Sequence, residues 1–177
     1  MTEIIIAGFG GQGVLVMGQL LAYAGMLEGR EVSWYPSYGP EQRGGTCNCS
    51  VVISHEEIGS PIVSEPDAAI IMNRPSLDRF EPTLKTGGIL VYNSTLVDRK
   101  PERTDLQVIA IPANALADEL GSSRVANMVA LGAFLRASEV VSPESIAKSL
   151  ENVLSTRHHH LIPLNMQALE RGRAYQY

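Results

Sequence analysis

The sequence predicts a three-layer α/β/α fold around a mainly parallel, Rossmann-like sheet. Three observations predict this α/β class: apolar, β-branched runs alternate with segments of helical periodicity, the first run leads through a glycine-rich turn into a helix, and no internal repeat or linker divides the chain. Strands that alternate with helices are expected to pair in parallel, because two parallel neighbours must be joined by a long crossover connection, which is usually a helix. A chain of 177 residues is long enough for one well-buried domain, and we expect residues 1–177 to form it.

The N-terminal third of the chain begins with a strand, a helix and a second strand. Residues 3–7 form a continuous apolar run, typical of a central strand that is covered on both faces. A helix of about four turns is predicted next, ending near Gly29, from five apolar residues at helical spacing: Val14, Met17, Leu21, Ala24 and Leu27. A short second strand over residues 32–35 is expected to end before Pro36, where a polar loop over residues 36–45 begins.

The third strand is predicted over residues 46–53, where apolar and polar side chains alternate so that one face is polar. Only a loop separates this strand from the one before it. An antiparallel element therefore stays open here, and with it a mixed sheet in place of a fully parallel one.

The rest of the chain alternates strands with helices. Strands are predicted over residues 68–72, 89–92 and 107–111, and short helices over 75–87 and 114–120. Ser123 is expected to cap a long apolar helix that runs to residue 135. Ser142 is expected to begin another helix, and Asn165 a final one.

The carboxyl ends of the parallel strands should form a common rim, because parallel strands end at the same edge of a sheet. Residues 8–13, the loop from Pro36, and the strand-ending Asn73 and Asn93 would all lie there. Ligands bind at this edge in open α/β sheets, so the rim is the first place to look for a site.

Composition and charge exclude several classes of protein. With 45% hydrophobic and 19% charged residues, the chain falls in the range of folded globular domains. The net charge of −5 is not gathered into blocks, which gives no indication of a nucleic-acid partner. No apolar run approaches the roughly 18 residues that a membrane span needs, and no secretion signal is evident, so we expect a cytoplasmic protein with no membrane partner.

The glycine-rich turn is the first candidate binding element. Residues 8–13, Gly-Phe-Gly-Gly-Gln-Gly, match the pattern G-x-G-x-x-G directly between a strand and a helix, where backbone N–H groups favour a phosphate. The alternative is a tight strand-to-helix crossing that needs glycine for packing alone. An NAD site also needs an acidic residue at the end of the second strand, and the first carboxylate there is Glu41, well into the loop. A P-loop is excluded because no Gly-Lys-Ser or Gly-Lys-Thr follows.

Two further polar features accompany the turn. In the loop, Arg43 could pair with a phosphate or carboxylate, and Tyr38 could stack on a base or on another subunit. Alternatively, the segment could be a surface turn with a local pair between Glu41 and Arg43. Asn127 interrupts an otherwise apolar helix and must find hydrogen bonds if it is buried. A ligand and the neighbouring backbone both stay open as its partner.

The three adjacent histidines and the two cysteines suggest other chemistry, but their arrangement fits it poorly. Adjacent side chains point in different directions, so residues 158–160 are expected to be solvated or subunit-facing, and no metal site is predicted. Cys47 and Cys49 share the apolar face of their strand, which favours core packing and reduced thiols. No nucleophile with a recognisable base motif occurs, so no catalytic residue is predicted.

Three segments together carry a family resemblance. GFGGQGV, PSYGPEQRGGTCNCSVVIS and RVANMVALGAFL resemble, in order and spacing through almost the whole chain, the gamma subunit of 2-oxoacid:ferredoxin oxidoreductases of the 2-oxoglutarate, 2-ketoisovalerate or pyruvate type. The resemblance implies a subunit, inactive alone, of an enzyme that decarboxylates a 2-oxoacid oxidatively to an acyl-CoA. It also implies thiamine diphosphate and iron-sulfur clusters on partner subunits (alpha, beta and, where present, delta), with ferredoxin as electron acceptor.

The same resemblance implies that this chain contributes to a coenzyme A site. Its cofactor-binding residues would be Gly8, Phe9, Gly10, Gly11, Gln12 and Gly13 on the phosphates, Ser37, Tyr38 and Arg43 beside the nucleotide, and Asn127 from the long helix. Two other hypotheses stay open. They are a free-standing NAD(P)-binding oxidoreductase, and a scaffold subunit that has lost contact with the ligand.

Overall fold

In a computed structural model of the chain, residues 1–40 and 44–177 are described, and the strands of this part form one sheet. The strands are β1 (Thr2–Phe9), β2 (Glu31–Tyr38), β3 (Thr46–Ser54), β4 (Ala68–Ile71), β5 (Ile89–Asn93) and β6 (Gln107–Ile111). The helices are α1 (Val14–Leu27), α2 (Arg74–Phe80), α3 (Ala113–Glu119), α4 (Ala126–Ala137), α5 (Pro143–Val153) and α6 (Ile162–Ala174). The strand order is β2-β3-β1-β4-β5-β6.

The sheet is mainly parallel, with one reversed strand. β1, β4, β5 and β6 run parallel to one another, whereas β3 is antiparallel to both of its neighbours, β1 and β2. The loop-connected pair at residues 31–54 thus forms a hairpin, and the mixed alternative left open by the sequence is the correct one. The α/β class predicted from the sequence is confirmed.

Helices cover both faces of the sheet, but unequally. Ile4 and Ile6 of β1 point into a large core beneath α1, α3 and α4, and α5 and α6 extend this layer by packing on α1 and α4. Ile5 and Ala7 point to the opposite face, where α2 and the loop residue Val97 enclose a smaller core. The three layers are therefore present, the second helical layer being one short helix with loops. No helix of the described ranges is long and apolar enough to cross a membrane.

The predicted rim is confirmed. The parallel strands end together, and because β3 is antiparallel to β1, Phe9 at the end of β1 pairs with Thr46 at the start of β3. The described residues of the β2–β3 loop, Gly39, Pro40, Gly44 and Gly45, therefore lie on the same rim as the glycine turn. The Gly10 N–H of the turn donates to the Gly45 carbonyl at 2.9 Å.

At one point along this rim, the connections that follow two neighbouring strands, β1 and β4, leave the sheet on opposite faces. The chain passes from β1 to α1 on the face of the large core, and from β4 to α2 on the face of the smaller one. The topological switch point, where ligands bind in many open α/β sheets, is therefore the crevice between β1 and β4.

Pro36 does not end the second strand, contrary to the sequence prediction. β2 continues through Pro36 to Tyr38. It is one of the two edge strands of the sheet and, in the described part of the chain, pairs only with β3, so one side of its backbone needs no hydrogen-bond donor. A proline is tolerated in such a position, because its missing N–H can face outward.

Three helix boundaries also differ from the sequence prediction. The helix predicted over residues 75–87 is the seven-residue α2 followed by a 3-10 turn, Glu81–Thr83, that contains a proline. Ser123 caps no helix, because it begins a 3-10 turn, Ser123–Val125, ahead of α4. The last helix begins at Ile162, three residues before Asn165, with a proline in its first turn. The remaining predicted strands and helices agree with the structure within two residues.

Two glycines bring α4 and α6 into backbone contact. A Cβ built on Gly132 would overlap the carbonyl oxygen of Leu169, and one built on Gly172 would overlap the carbonyl oxygen of Val129. The two helices can approach this closely only because neither glycine has a side chain. This contact fixes the position of α4 on the large-core face of the sheet.

We predict that Gly132→Ala destabilises the chain by about 2 kcal/mol or more. The free-energy cost of the overlap with rigid backbone should exceed the gain of about 1 kcal/mol that alanine brings to a helix. Gly59→Ala is the matched control, because a Cβ there meets nothing within 4 Å. Its free energy of unfolding should change by less than about 1 kcal/mol. Urea unfolding of the two variants checks this, and equal stabilities would contradict the packing argument.

Candidate functional site

The glycine turn joins β1 to α1, and no described side chain caps the start of that helix. Gly11 and Gly13 have φ values of 95° and 74°, in the left-handed region that favours glycine. The first turn of α1 contains no acidic residue, and its first helical hydrogen bond runs from the Met17 N–H to the Gly13 carbonyl. The amides of residues 14–16 therefore precede the helical ladder, and with the positive end of the helix dipole they favour an anion.

A cavity of about 530 Å³ opens beside these amides, between the turn, the start of α1 and the β2–β3 hairpin. Its described lining is Phe9, Gly10, Gly11, Gly13, Val14, Leu15, Val16, Tyr38, Gly39, Pro40, Thr46 and Cys47. None of these carries a charge, so within this lining the attraction for an anion comes from backbone N–H groups. Mostly apolar walls with a few polar groups are typical of small-molecule sites.

The loop residues predicted from the sequence are not all at the cavity. Tyr38 lines it, and its side chain is 68% exposed. Ser37 pairs with Asn48, whereas Tyr38 pairs with Cys47, so the strand alternation directs Ser37 to the opposite face of the sheet. Arg43 lies outside the described residues.

Asn127 is close to the turn but does not line the cavity. It is 6% exposed, and its Nδ2 donates to the Gly13 carbonyl at 3.4 Å. A Cβ on Gly13 would overlap this amide, so α4 presses directly against the end of the turn. Its Oδ1 has no hydrogen-bond partner among the described residues. The structure thus gives Asn127 a backbone partner, and contact with a ligand stays a prediction.

Gln12 uses its side chain within the fold. Its Oε1 accepts from the Phe9 N–H at 2.6 Å, and its Nε2 donates to the Met72 carbonyl at 3.2 Å. The side chain therefore ties the turn to the end of β4. Motif matching alone could not find this role, because it depends on how β1 and β4 lie side by side.

The two thiols are buried, as the alternation of β3 predicts. Cys49 is fully buried, with its Sγ 3.7 Å from the Val14 carbonyl, and burial raises the pKa of its thiol to about 12. Burial also raises the pKa of Cys47, which is 8% exposed and lines the cavity. No local sequence pattern places Cys47 at the cavity, because its position there follows from the pairing of β3 with β1.

Among the described residues, the histidine segment forms hydrogen bonds with nearby residues of the chain. Residues 158–160 lie in a 3-10 turn, Thr156–Leu161, where His158 Nδ1 is 3.0 Å from Ser155 Oγ and His159 Nε2 is 3.0 Å from the Leu154 carbonyl. Within residues 1–40 and 44–177, no three histidine, cysteine, aspartate or glutamate side chains gather where they could hold a metal.

The sheet order adds a second argument against NAD. In a dinucleotide-binding fold the second strand lies parallel and next to the first, so that an acidic residue at its end meets the ribose. Here the reversed β3 occupies that position, and β2 is displaced to the edge. The carboxyl end of the second strand is thus one strand further from the turn than such a ribose contact requires.

The sheet, the turn and the cavity define an α/β domain whose first helix presents its N-terminal amides to an open, mostly apolar cavity. The chain belongs to the pyruvate ferredoxin/flavodoxin oxidoreductase family, whose model matches residues 3–175.

Known proteins similar to the chain include separate subunits and longer chains. The chain is 44% identical to ketoisovalerate oxidoreductase subunit VorA of Methanothermobacter marburgensis over 97% of its own length, but spans only 36% of that relative. The gamma subunit of a keto/oxoacid ferredoxin oxidoreductase from Geobacter sulfurreducens has a TM-score of 0.82 at 32% identity, with 97% of this chain and 96% of that one covered. The 2-oxoglutarate:ferredoxin oxidoreductase of Magnetococcus marinus, with 2-oxoglutarate, coenzyme A and succinyl-CoA bound, has a TM-score of 0.87 at 26% identity, with 98% of this chain and 30% of that one covered.

We predict that both thiols react slowly with a disulfide reagent at pH 8 in the folded chain and quickly in denaturant, because thiolate is scarce when the pKa is raised. Cys49→Ser, which retains the cavity-lining Cys47, should react faster than Cys47→Ser. Burial raises the pKa of the Cys49 thiol to about 12, so the contribution of this thiol to stability is complete below about pH 8.5 and is lost as the pH rises from there toward 12, since the unfolded chain deprotonates first. The raised pKa of Cys47 acts in the same direction. Equal, fast labelling of both single-thiol variants in the folded state would contradict this.

Proposed function

We propose that this chain is the gamma subunit of a 2-oxoacid:ferredoxin oxidoreductase and supplies part of its coenzyme A site. The enzyme would oxidise a 2-oxoacid with loss of CO2, transfer the acyl group to coenzyme A and reduce ferredoxin. The observation that carries this proposal is the uncapped start of α1 beside a cavity of about 530 Å³. Family membership supports it, and so does the coenzyme A bound in the Magnetococcus relative.

Coenzyme A suits this cavity because it combines phosphates with a long uncharged arm. Its diphosphate would accept hydrogen bonds from the amides of residues 14–16, where the glycines let the ligand approach the backbone. Val14 and Pro40 would pack against uncharged parts of the ligand, and the exposed ring of Tyr38 is available to stack on its base. Arg43, Ser37 and Asn127 are proposed as further contacts on the strength of the sequence resemblance. The chain's residues would bind and orient the ligand, and the ligand's own thiol would accept the acyl group.

The remaining chemistry is assigned to partner subunits. Thiamine diphosphate and the iron-sulfur clusters would reside on alpha, beta and, where present, delta subunits, which would also select the 2-oxoacid. A cluster needs several cysteine thiolates, whereas this chain has two cysteines, both buried in the sheet. The longer relatives support such assembly, because there the same fold is only about a third of a chain. Residues 1–177 would act as one domain within the complex.

The complex purified through a tag on this chain should reduce ferredoxin or a viologen dye when both a 2-oxoacid and coenzyme A are supplied. The isolated chain should not, because it would lack the groups that carry the electrons. Dye reduction by the chain alone with NAD(P)H would contradict this assignment and favour an independent oxidoreductase.

Gly11→Ala should weaken coenzyme A binding about tenfold or more, because the added methyl group would stand in the open space beside the turn and would favour a different backbone angle. Gly29→Ala is the matched control. Gly29 also has a positive φ (74°) and open space around its Cβ position, but lies beyond the far end of α1. Both variants should lose similar stability, of about 1 kcal/mol.

Isothermal titration of the complex with coenzyme A measures the difference. Equal affinities of the two glycine variants would remove the turn from the site. Impaired assembly of Gly11→Ala with unchanged affinity would instead favour a scaffold role for the turn.

A further inference from the structure

The crevice between β1 and β4, at the switch point of the sheet, is bridged by one side chain. Gln12 spans it with two hydrogen bonds, accepting from the Phe9 N–H on β1 and donating to the Met72 carbonyl just beyond β4. The place where ligands enter many open α/β sheets is therefore crossed by a glutamine of the turn itself.

The first glycine of the motif makes room for this bridge. A Cβ on Gly8 would lie 2.5 Å from the Oε1 of Gln12 and 2.9 Å from the Cβ of Met72. Any larger residue at position 8 would push the glutamine out of the crevice. Gly8 is thus required by the side chain of Gln12, independently of any approach by a ligand.

The far end of the turn is held by a second side chain. Asn127 on α4 donates to the Gly13 carbonyl, and this residue is buried. One side chain therefore fixes the turn at Phe9 and another at Gly13, while neither Gln12 nor Asn127 is part of the cavity lining. The side of the turn that remains open faces the cavity formed with the hairpin.

We infer that Gln12 is a positioning residue: by bridging β1 and β4 it closes the switch-point crevice and holds the turn so that the first amides of α1 face the hairpin-side cavity. This inference rests on the proposed function for the identity of the ligand, coenzyme A. Gln12 acts through the backbone and does not touch the phosphates. It sets the affinity for coenzyme A without contributing to the later chemical steps.

Two variants test the bridge. Gln12→Met has a similar length but makes neither hydrogen bond, and Gln12→Glu keeps the acceptor for Phe9 but loses the donor to Met72. Loss of these bonds should raise both the Kd and the KM for coenzyme A about tenfold. The kcat at saturating coenzyme A should stay within about twofold of the wild-type value, since binding alone is affected. Gln167→Met, on an exposed position of α6, should change none of these constants.

Amide hydrogen exchange provides a readout that does not depend on the ligand. The Phe9 amide should exchange faster in Gln12→Met than in wild type and in Gln167→Met, because its acceptor is lost. Gln12→Glu keeps this acceptor, so its Phe9 exchange should stay near the wild-type rate while its KM for coenzyme A rises. If Gln12→Met does not fold, the Kd and KM of Gln12→Glu decide the question.

The outcomes separate this inference from the proposed function. Wild-type binding of coenzyme A, with unchanged KM in both Gln12 variants and unchanged Phe9 exchange in Gln12→Met, would overturn the bridge and leave the proposed function intact. A wild-type complex that binds no coenzyme A would overturn the proposed function, and with it the role of Gln12 in coenzyme A affinity. A raised KM together with faster Phe9 exchange supports the inference.

Discussion

The antiparallel pairing of β1 with β3 is the constraint on which the site depends. It places Thr46 beside Phe9 and allows the Gly10 N–H to bond the Gly45 carbonyl, so the hairpin forms one wall of the cavity. A wholly parallel sheet would need a crossover in its place and would leave the glycine turn exposed on this side. The same pairing displaces β2 to the edge of the sheet. An acidic residue at the end of β2 would therefore lie too far from the turn to bind a dinucleotide ribose. One reversed strand thus changes both the shape of the site and the ligands it suits.

Packing on the large-core face connects distant parts of the chain to the turn. Gly132 and Gly172 let α4 and α6 meet backbone to backbone, and α4 carries Asn127 against Gly13. On the other side, Gln12 connects the turn to β4 through Met72. A turn rich in glycine has high conformational freedom when unfolded, and these contacts restrict it to one shape before any ligand arrives. Preorganised N–H groups bind an anion without the cost of ordering the loop.

Local sequence signals predicted much of this fold and part of the site. The apolar runs, the glycine turn before α1 and the alternation of β3 each reflect a short-range pattern, and each agrees with the structure. What the sequence could not supply depends on tertiary pairing. Pro36 stays within β2 because that strand is at the edge, Cys47 reaches the cavity through the register of β3, and Gln12 bridges two strands whose adjacency no local pattern encodes. Ser37 was expected beside Tyr38, and strand alternation separates the two.

Family membership and the open helix end lead to the same proposal, a chain that holds the phosphates of coenzyme A for chemistry completed on other subunits. A structure of the assembled complex with coenzyme A bound tests this most directly. We expect the diphosphate oxygens at about 3 Å from the amide nitrogens of residues 14–16, with the uncharged arm along the cavity beside Tyr38. Coenzyme A bound with its phosphates elsewhere, and the start of α1 covered by protein or solvent, would contradict it.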